Sequence, residues 1–133
     1  MRADVARILI IDDDAAVSLT LARMLKLDGH DVARAETAQE GLDEAAANRP
    51  DAIILDMRMP AMGGLEFLRR LRGDDRLRAI PVGIITGDYF LGDDVLAELA
   101  ALGASVRYKP VWMDDLSALT RALLGGATAP AGG

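Results

Sequence analysis

Ala52-Ile53-Ile54-Leu55-Asp56-Met57-Arg58-Met59-Pro60 is the stretch that decides the fold. Ala52 to Leu55 is short and unbroken in its apolarity, the pattern of a strand covered on both faces of a parallel sheet. It stops at a carboxylate, and Pro60 and Gly63-Gly64 follow as turn signals. A buried strand that delivers one Asp to its C-terminal end is a way to build a site in an α/β sheet. The plain alternative is an Asp that only closes the loop. The other strand ends choose between the two.

Outward from that stretch, strand and helix patterns alternate five times. Arg7 to Ile11 is a buried strand ending in Asp12-Asp13-Asp14. Val17, Leu21, Met24 and Leu25 then recur at helical steps from about Ala15, and Gly29 closes that helix. Val32 to Ala35 is a weak edge strand. Thr37-Ala38-Gln39-Glu40 has the capping-box spacing and opens a helix to about Asn48, with Leu42, Ala45 and Ala46 inward. After the Asp56 strand, Leu65, Phe67, Leu68 and Leu71 mark a third helix. Pro81 opens a fourth strand, Val82 to Thr86. A loop from Gly87 to Asp94 leads to a helix carrying Val95, Leu96, Leu99 and Leu102. A fifth strand, Val106 to Lys109, is closed by Pro110, and a last helix runs from about Asp114 to Leu124 with Leu116, Leu119, Leu123 and Leu124 inward. This alternation predicts one domain over residues 1–124, a parallel sheet with helices on both faces and right-handed crossovers. Residues 125–133, rich in Gly and Ala, read as a flexible tail or linker.

Bulk properties fit that class. A chain of 133 residues suits a single domain with a core of its own. The absence of Cys removes disulfides and thiolate metal sites, and no apolar run has the length of a membrane span. No basic start followed by an apolar segment marks a leader, so a cytoplasmic protein without membrane attachment is expected. The net charge of −6 argues against a broad nucleic-acid footprint. The Arg cluster at Arg69, Arg70, Arg72, Arg76 and Arg78 reads as a solvated helix face.

In a sheet of this kind ligands bind at the C-terminal ends of the strands. The first strand delivers Asp12 and Asp13, the third Asp56, the fourth Thr86 and the fifth Lys109. Asp14 is placed to cap the following helix. Three neighbouring carboxylates repel one another and call for a cation; oxygen-only ligands point to Mg²⁺. Asp56 then reads as a nucleophile toward phosphorus, forming an aspartyl phosphate. Lys109 and Thr86 would bind the phosphoryl oxygens.

Taken in order, Ile10-Ile11-Asp12-Asp13, Leu55-Asp56-Met57-Arg58-Met59-Pro60 with Gly64, Ile84-Ile85-Thr86-Gly87 and Lys109-Pro110 resemble the receiver domain of two-component response regulators. The resemblance covers roughly residues 6 to 124. It implies a flavodoxin-like (βα)5 doubly wound sheet of order 2-1-3-4-5. It also implies a phosphorylation switch, not a metabolic enzyme: Asp56 accepts the phosphoryl group from a sensor histidine kinase or a histidine phosphotransfer protein. Asp12, Asp13, Asp56 and the Arg58 backbone carbonyl serve Mg²⁺. Lys109–Pro110 is cis, the first helix around Ala15, Val17 and Ser18 faces the donor, and the fourth helix, fifth strand and fifth helix face an output partner or a second copy.

Three departures from the family pattern stand out. Only four residues separate Gly103-Ala104 from Lys109, so Val106 holds the usual aromatic position and Tyr108 lies beside Lys109. Tyr108 shares a face with Val106 but is displaced by about 6–7 Å along the strand. Either it substitutes from there or the aromatic part of the usual switch is lost, and the displacement favours loss. Gly87 follows Thr86 where Ala is commonest, and Thr86-Gly87-Asp88-Tyr89 is similar to a pattern in some stand-alone receivers, which offers Tyr89 for the aromatic role. Arg58 and Asp88 carry opposite charges at two positions flanking the site, so pairing across its mouth and slow loss of the phosphoryl group are expected.

Rival readings exist. Asp12-Asp13-Asp14 also resembles the Asp-x-Asp of haloacid dehalogenase-type phosphatases, which would make Asp12 the nucleophile and would need an acidic pair such as Asp114-Asp115. A receiver that binds partners without phosphorylation is the third. His30 reads as a surface residue, Trp112 as partly exposed at the last helix entry, and Met57, Met59 and Met62 as packing beneath the loop after Asp56.

Overall fold

A computed structural model describes residues 6–126. Ten elements follow one another: β1 (Arg7–Ile11), α1 (Ala15–Leu27), β2 (Asp31–Ala35), α2 (Ala38–Ala47), β3 (Ala52–Leu55), α3 (Gly64–Arg72), β4 (Val82–Thr86), α4 (Asp93–Ala101), β5 (Ala104–Tyr108) and α5 (Met113–Gly126). The five strands are parallel in the order β2-β1-β3-β4-β5, the doubly wound flavodoxin-like arrangement. β1 and β3 are central and pair in register from Ile8↔Ala52 to Ile11↔Leu55, so the residues after them, Asp12 and Asp56, emerge side by side.

Alternation along the strands divides the core in two. Leu9, Ile11, Ile53, Leu55 and Ile84 pack on Phe67, Leu68, Leu71 and Leu99 on the face of α2, α3 and α4. Ile8, Ile10, Ile54 and Ile85 pack on Leu21, Leu25, Leu116, Leu119 and Leu123 on the face of α1 and α5. β1 and β3 are therefore buried on both sides, which explains their unbroken apolar runs.

The caps agree with the sequence. Asp14 accepts from the N–H groups of Ala16 and Val17 at the start of α1. Thr37 accepts from Glu40 N–H, and Glu40 returns to the N–H of Glu36, closing the box one residue early. Several boundaries differ. β5 starts at Ala104 and ends at Tyr108, which puts Lys109 just beyond the strand. Ala46 is exposed, leaving Ala45 and half-buried Leu42 as the inner face of α2. α5 continues through Gly125 to Gly126; the rest of the expected tail, residues 127–133, lies outside the described residues.

The Arg cluster is not uniformly solvated. Arg72 is half-buried and donates to the carbonyls of Leu102, Arg78 and Ile80 at 2.6–2.9 Å, joining the end of α3 to the end of α4 and the approach to β4. Burial lowers its pKa. Arg69 makes a forked pair with Glu98 of α4 at 2.6 and 2.8 Å. His30 accepts from Ala6 N–H at Nδ1, so it has a structural partner. No helix among the described residues is long and apolar enough to cross a membrane.

Candidate functional site

The parallel register carries four of the expected residues to one point at the C-terminal edge of the sheet. Asp12 and Asp56 are buried, at 3% and 8% exposure, and Asp13 is exposed. One carboxylate oxygen from each lies within 4.8 Å of the others. Lys109 Nζ stands 3.6 Å from Asp12 Oδ2 and 3.6 Å from Asp56 Oδ1. Asp12 Oδ1 accepts from the N–H of Asp14 at 2.9 Å, which fixes its orientation. Gly64 allows this approach: a Cβ there would sit 3.0 Å from the Asp56 carbonyl oxygen and from Met57 Cα, so a side chain would push α3 off the end of β3.

Burial raises the Asp56 carboxyl above its ordinary value; Lys109 opposes the rise and the charges of Asp12 and Asp13 add to it. Burial likewise raises Asp12, against the Asp14 N–H and Lys109. Two buried carboxylates and a third beside them share a single ammonium, so the cluster is short of positive charge. Its all-oxygen donors at this spacing fit a hard divalent cation such as Mg²⁺.

The neighbouring strand end supplies Thr86, fully buried, whose Oγ accepts from Asp88 N–H at 3.0 Å. Its own proton remains for another acceptor. Asp88 is a junction. One carboxylate oxygen accepts from Arg58 Nε and Nη2 at 3.1 and 2.8 Å, and the other from Phe90 N–H at 3.0 Å. The expected Arg58–Asp88 pair is thus formed, and Arg58 holds the Asp88 carboxyl below its ordinary range. Gly87 is not forced by space, since a Cβ there would meet only Lys109 Cδ, at 3.9 Å.

The aromatic question resolves into a pair of rings. Tyr108 lies opposite Thr86 in the ladder and stacks on Tyr89, with centroids 5.5 Å apart and planes at 19°. The Tyr89 hydroxyl donates to the Lys109 carbonyl, beside the cis Lys109–Pro110 bond. Val106 is half-buried and packs against the core cluster that includes Leu99 of α4. Pro110 lines an apolar hollow of about 380 Å³ against α1, together with Val17, Met24, Ile85 and Val111.

Ser18, expected to face a donor, is instead fully buried, and its hydroxyl accepts from Arg34. Trp112 is well exposed just before α5. Met59 is buried, and Met57 and Met62 pack half-buried under the loop, as expected. Sequence reasoning passed over Phe90, at 92% the most exposed large apolar side chain among the described residues. The available signal was the apolar triplet Tyr89-Phe90-Leu91 in a loop.

The family model described as the response regulator receiver domain matches residues 8–120. The chain belongs to the response regulator receiver domain family. This receiver is 41% identical over 123 residues to the response regulator MprA of Mycolicibacterium vanbaalenii, covering 89% of this chain and 50% of the relative. It has the same identity and coverage with MprA of Mycobacterium tuberculosis. It spans about half the length of the curated relatives it matches. Among solved structures it resembles the Vibrio cholerae chemotaxis protein CheY4, with TM-score 0.82 and 27% identity over 90% of this chain and 99% of that one. It also resembles a CheY-like receiver domain protein of Methanospirillum hungatei, with TM-score 0.84 and 26% identity over 93% and 97%. Membership places it among two-component signalling switches, which work with histidine kinases and downstream effectors and bind Mg²⁺ in general. Nothing in these likenesses favours the phosphatase reading, and Asp115 is engaged in capping Trp112 N–H.

Proposed function

We propose that this receiver accepts a phosphoryl group on Asp56 from the phosphohistidine of a sensor histidine kinase or histidine phosphotransfer protein. The observation that carries the reading is Lys109 Nζ held 3.6 Å from both Asp12 and Asp56 within an all-carboxylate cluster. An Asp56 carboxylate oxygen forms the new O–P bond as the P–N bond breaks, and the electron pair leaves on the imidazole nitrogen. Lys109 and the free O–H of Thr86 bind the phosphoryl oxygens, where charge stabilisation matters more than a base. Asp12, Asp13, Asp56 and the Arg58 carbonyl would hold Mg²⁺, which when bound adds neutralisation for the same oxygens.

Binding of Thr86 to the phosphoryl group bears on Asp88, which leans on its oxygen, and on Tyr108 opposite it. The stacked Tyr89–Tyr108 pair therefore takes the aromatic role, and the signal leaves through α4, β5 and α5 to a protein partner or a second copy. Residues 1–124 act as the switch unit, in the cytoplasm, with no direct contact to nucleic acid. The receiver promotes its own phosphorylation and dephosphorylation and has no further metabolic activity. Phosphotransfer from a panel of the source organism's autophosphorylated histidine kinases tests this. Wild type should be labelled by at least one kinase and Asp56→Asn by none. No transfer to wild type, or undiminished labelling of Asp56→Asn, would overturn it.

A further inference from the structure

The loop between β4 and α4 holds an anomaly. Phe90 is 92% exposed, yet the loop that carries it is braced at each step. Asp88 N–H is tied to Thr86, Asp88 carboxylate to Arg58 and to Phe90 N–H, and the Tyr89 hydroxyl to the Lys109 carbonyl beneath a ring stack. A ring that only happened to face water would not need such fixing. The bonds hold the backbone on either side of the ring, so the loop has less order to lose on association than an unbonded one.

Its place selects the partner. The bracing residues Thr86, Asp88 and Arg58 belong to the rim of the Asp56 pocket. Transfer to Asp56 requires the donor's histidine to come within bonding distance of a carboxylate oxygen, so the donor must lie over this edge; chemistry imposes no such position on an output partner. The donor brings a phosphoryl dianion toward a chain of net charge −6 with exposed Asp13, Asp93 and Asp94 on this edge, so the cations at the site, Lys109 and Arg58, are not the whole of its attraction, and an exposed ring beside them adds apolar contact. We infer that Phe90 is a docking anchor for the phosphohistidine donor, seated in an apolar recess of the donor surface that is flanked by basic side chains facing Asp93 and Asp94. The inference rests on the proposed transfer to Asp56.

The test compares two phosphodonors. One is the histidine kinase from the panel above that transfers fastest to wild type; the other is phosphoramidate, a small P–N donor that needs no docking surface. Phe90→Ala is expected to lower kcat/KM from the kinase by about 30-fold, the loss typical of an aromatic hot spot, and to leave the phosphoramidate rate unchanged. Phe90→Tyr should retain most of the kinase rate. Equal rates for Phe90→Ala and wild type from the kinase would overturn the inference. So would an equal loss with both donors, which would put Phe90 in the acceptor chemistry. A change in sedimenting mass would assign the ring to a second copy and overturn it too. Labelling of Asp56→Asn, run alongside, would sink the transfer reading and is distinguishable from all of these.

Discussion

The proposed closing of the mouth of the Asp56 site by the Arg58–Asp88 pair, as a lid, can be given a magnitude from the geometry of the pair. Arg58 Nε and Nη2 both donate to one Asp88 oxygen, but the Arg58 side chain is 76% exposed and Asp88 itself lies near solvent at 13%. Ion pairs this close to water are weak, so closed forms outnumber open ones by only about 2:1 to 5:1. If water reaches the phosphorus only through the open mouth, removing the lid raises the hydrolysis rate by the inverse of the open fraction, about 3- to 6-fold. Arg58→Met removes the charge, keeps the bulk and leaves the backbone carbonyl in place. The protein is labelled with phosphoramidate, freed of donor, and its phosphoryl loss in Mg²⁺ followed on phosphate-affinity gels. Arg58→Met and Asp88→Asn should each shorten the half-life by that factor, and the double variant no further, because both remove one pair. Raising salt toward 1 M should reproduce part of the effect in wild type and none of it in Arg58→Met, since the screening length falls to about 3 Å. Unchanged or longer half-lives in Arg58→Met, or fully additive effects, would refute the lid.

Other expectations concern the cluster and the scaffold. In EDTA, Asp12→Asn should raise the urea midpoint at pH 7. The folded carboxyls of Asp12 and Asp56 are raised above their ordinary 3.8, so the folded state holds protons more tightly than the unfolded one. The cost of ionising them is absent below that value and complete above the raised ones, so the gain should vanish as the pH falls toward 3.8. Mg²⁺ at ten times its Kd should stabilise wild type by about 1.4 kcal/mol, a rise of about 5 °C in Tm, and Asp12→Asn much less; equal shifts would count against the site. Gly41→Ala would put a Cβ 2.9 Å from Ile11 Cγ1 and 3.3 Å from Phe67 Cε1, both buried; overpacking there should cost about 1–3 kcal/mol in urea unfolding. Arg72→Met strips three carbonyls of their donor and should cost about 2–3 kcal/mol, with Lys giving little rescue because it lacks the fork.

The fold was legible because its signals are redundant. β1 and β3 are apolar on both faces, α1 and α2 carry their own caps in Asp14 and Thr37, and the carboxylates stand at strand ends where the parallel register must gather them. What failed was local. Ala46 has the right residue type for an inner face but lies one step round the helix from Ala45. Arg72 reads as one more surface charge, because nothing in a sequence says that three carbonyls from two other segments will converge on it. Ser18 follows half-buried Val17, two and three residues after exposed Ala16 and Ala15, and the turn of α1 carries it inward to Arg34.

The aromatic positions show why the site's edge was harder to read than its centre. Spacing along β5 put Tyr108 on the face of Val106 and displaced it toward the edge, and that displacement favoured loss of the aromatic part of the usual switch over substitution by Tyr108, with Tyr89 as a further candidate. Tyr108 meets a second ring, however, and that ring arrives from another loop. Tyr89 is brought there by Asp88, whose N–H is taken by Thr86 and whose carboxylate is taken by Arg58 and Phe90 N–H. The loop is thereby folded back until the Tyr89 hydroxyl reaches the Lys109 carbonyl. A pairwise expectation, Arg58 with Asp88, was within reach of sequence reasoning because charges announce their partners. The stack was not, because it depends on that ion pair, a backbone turn and a strand register acting together. Residues chosen for chemistry at strand ends can be read one at a time, whereas residues that close over the chemistry are placed by contacts among loops.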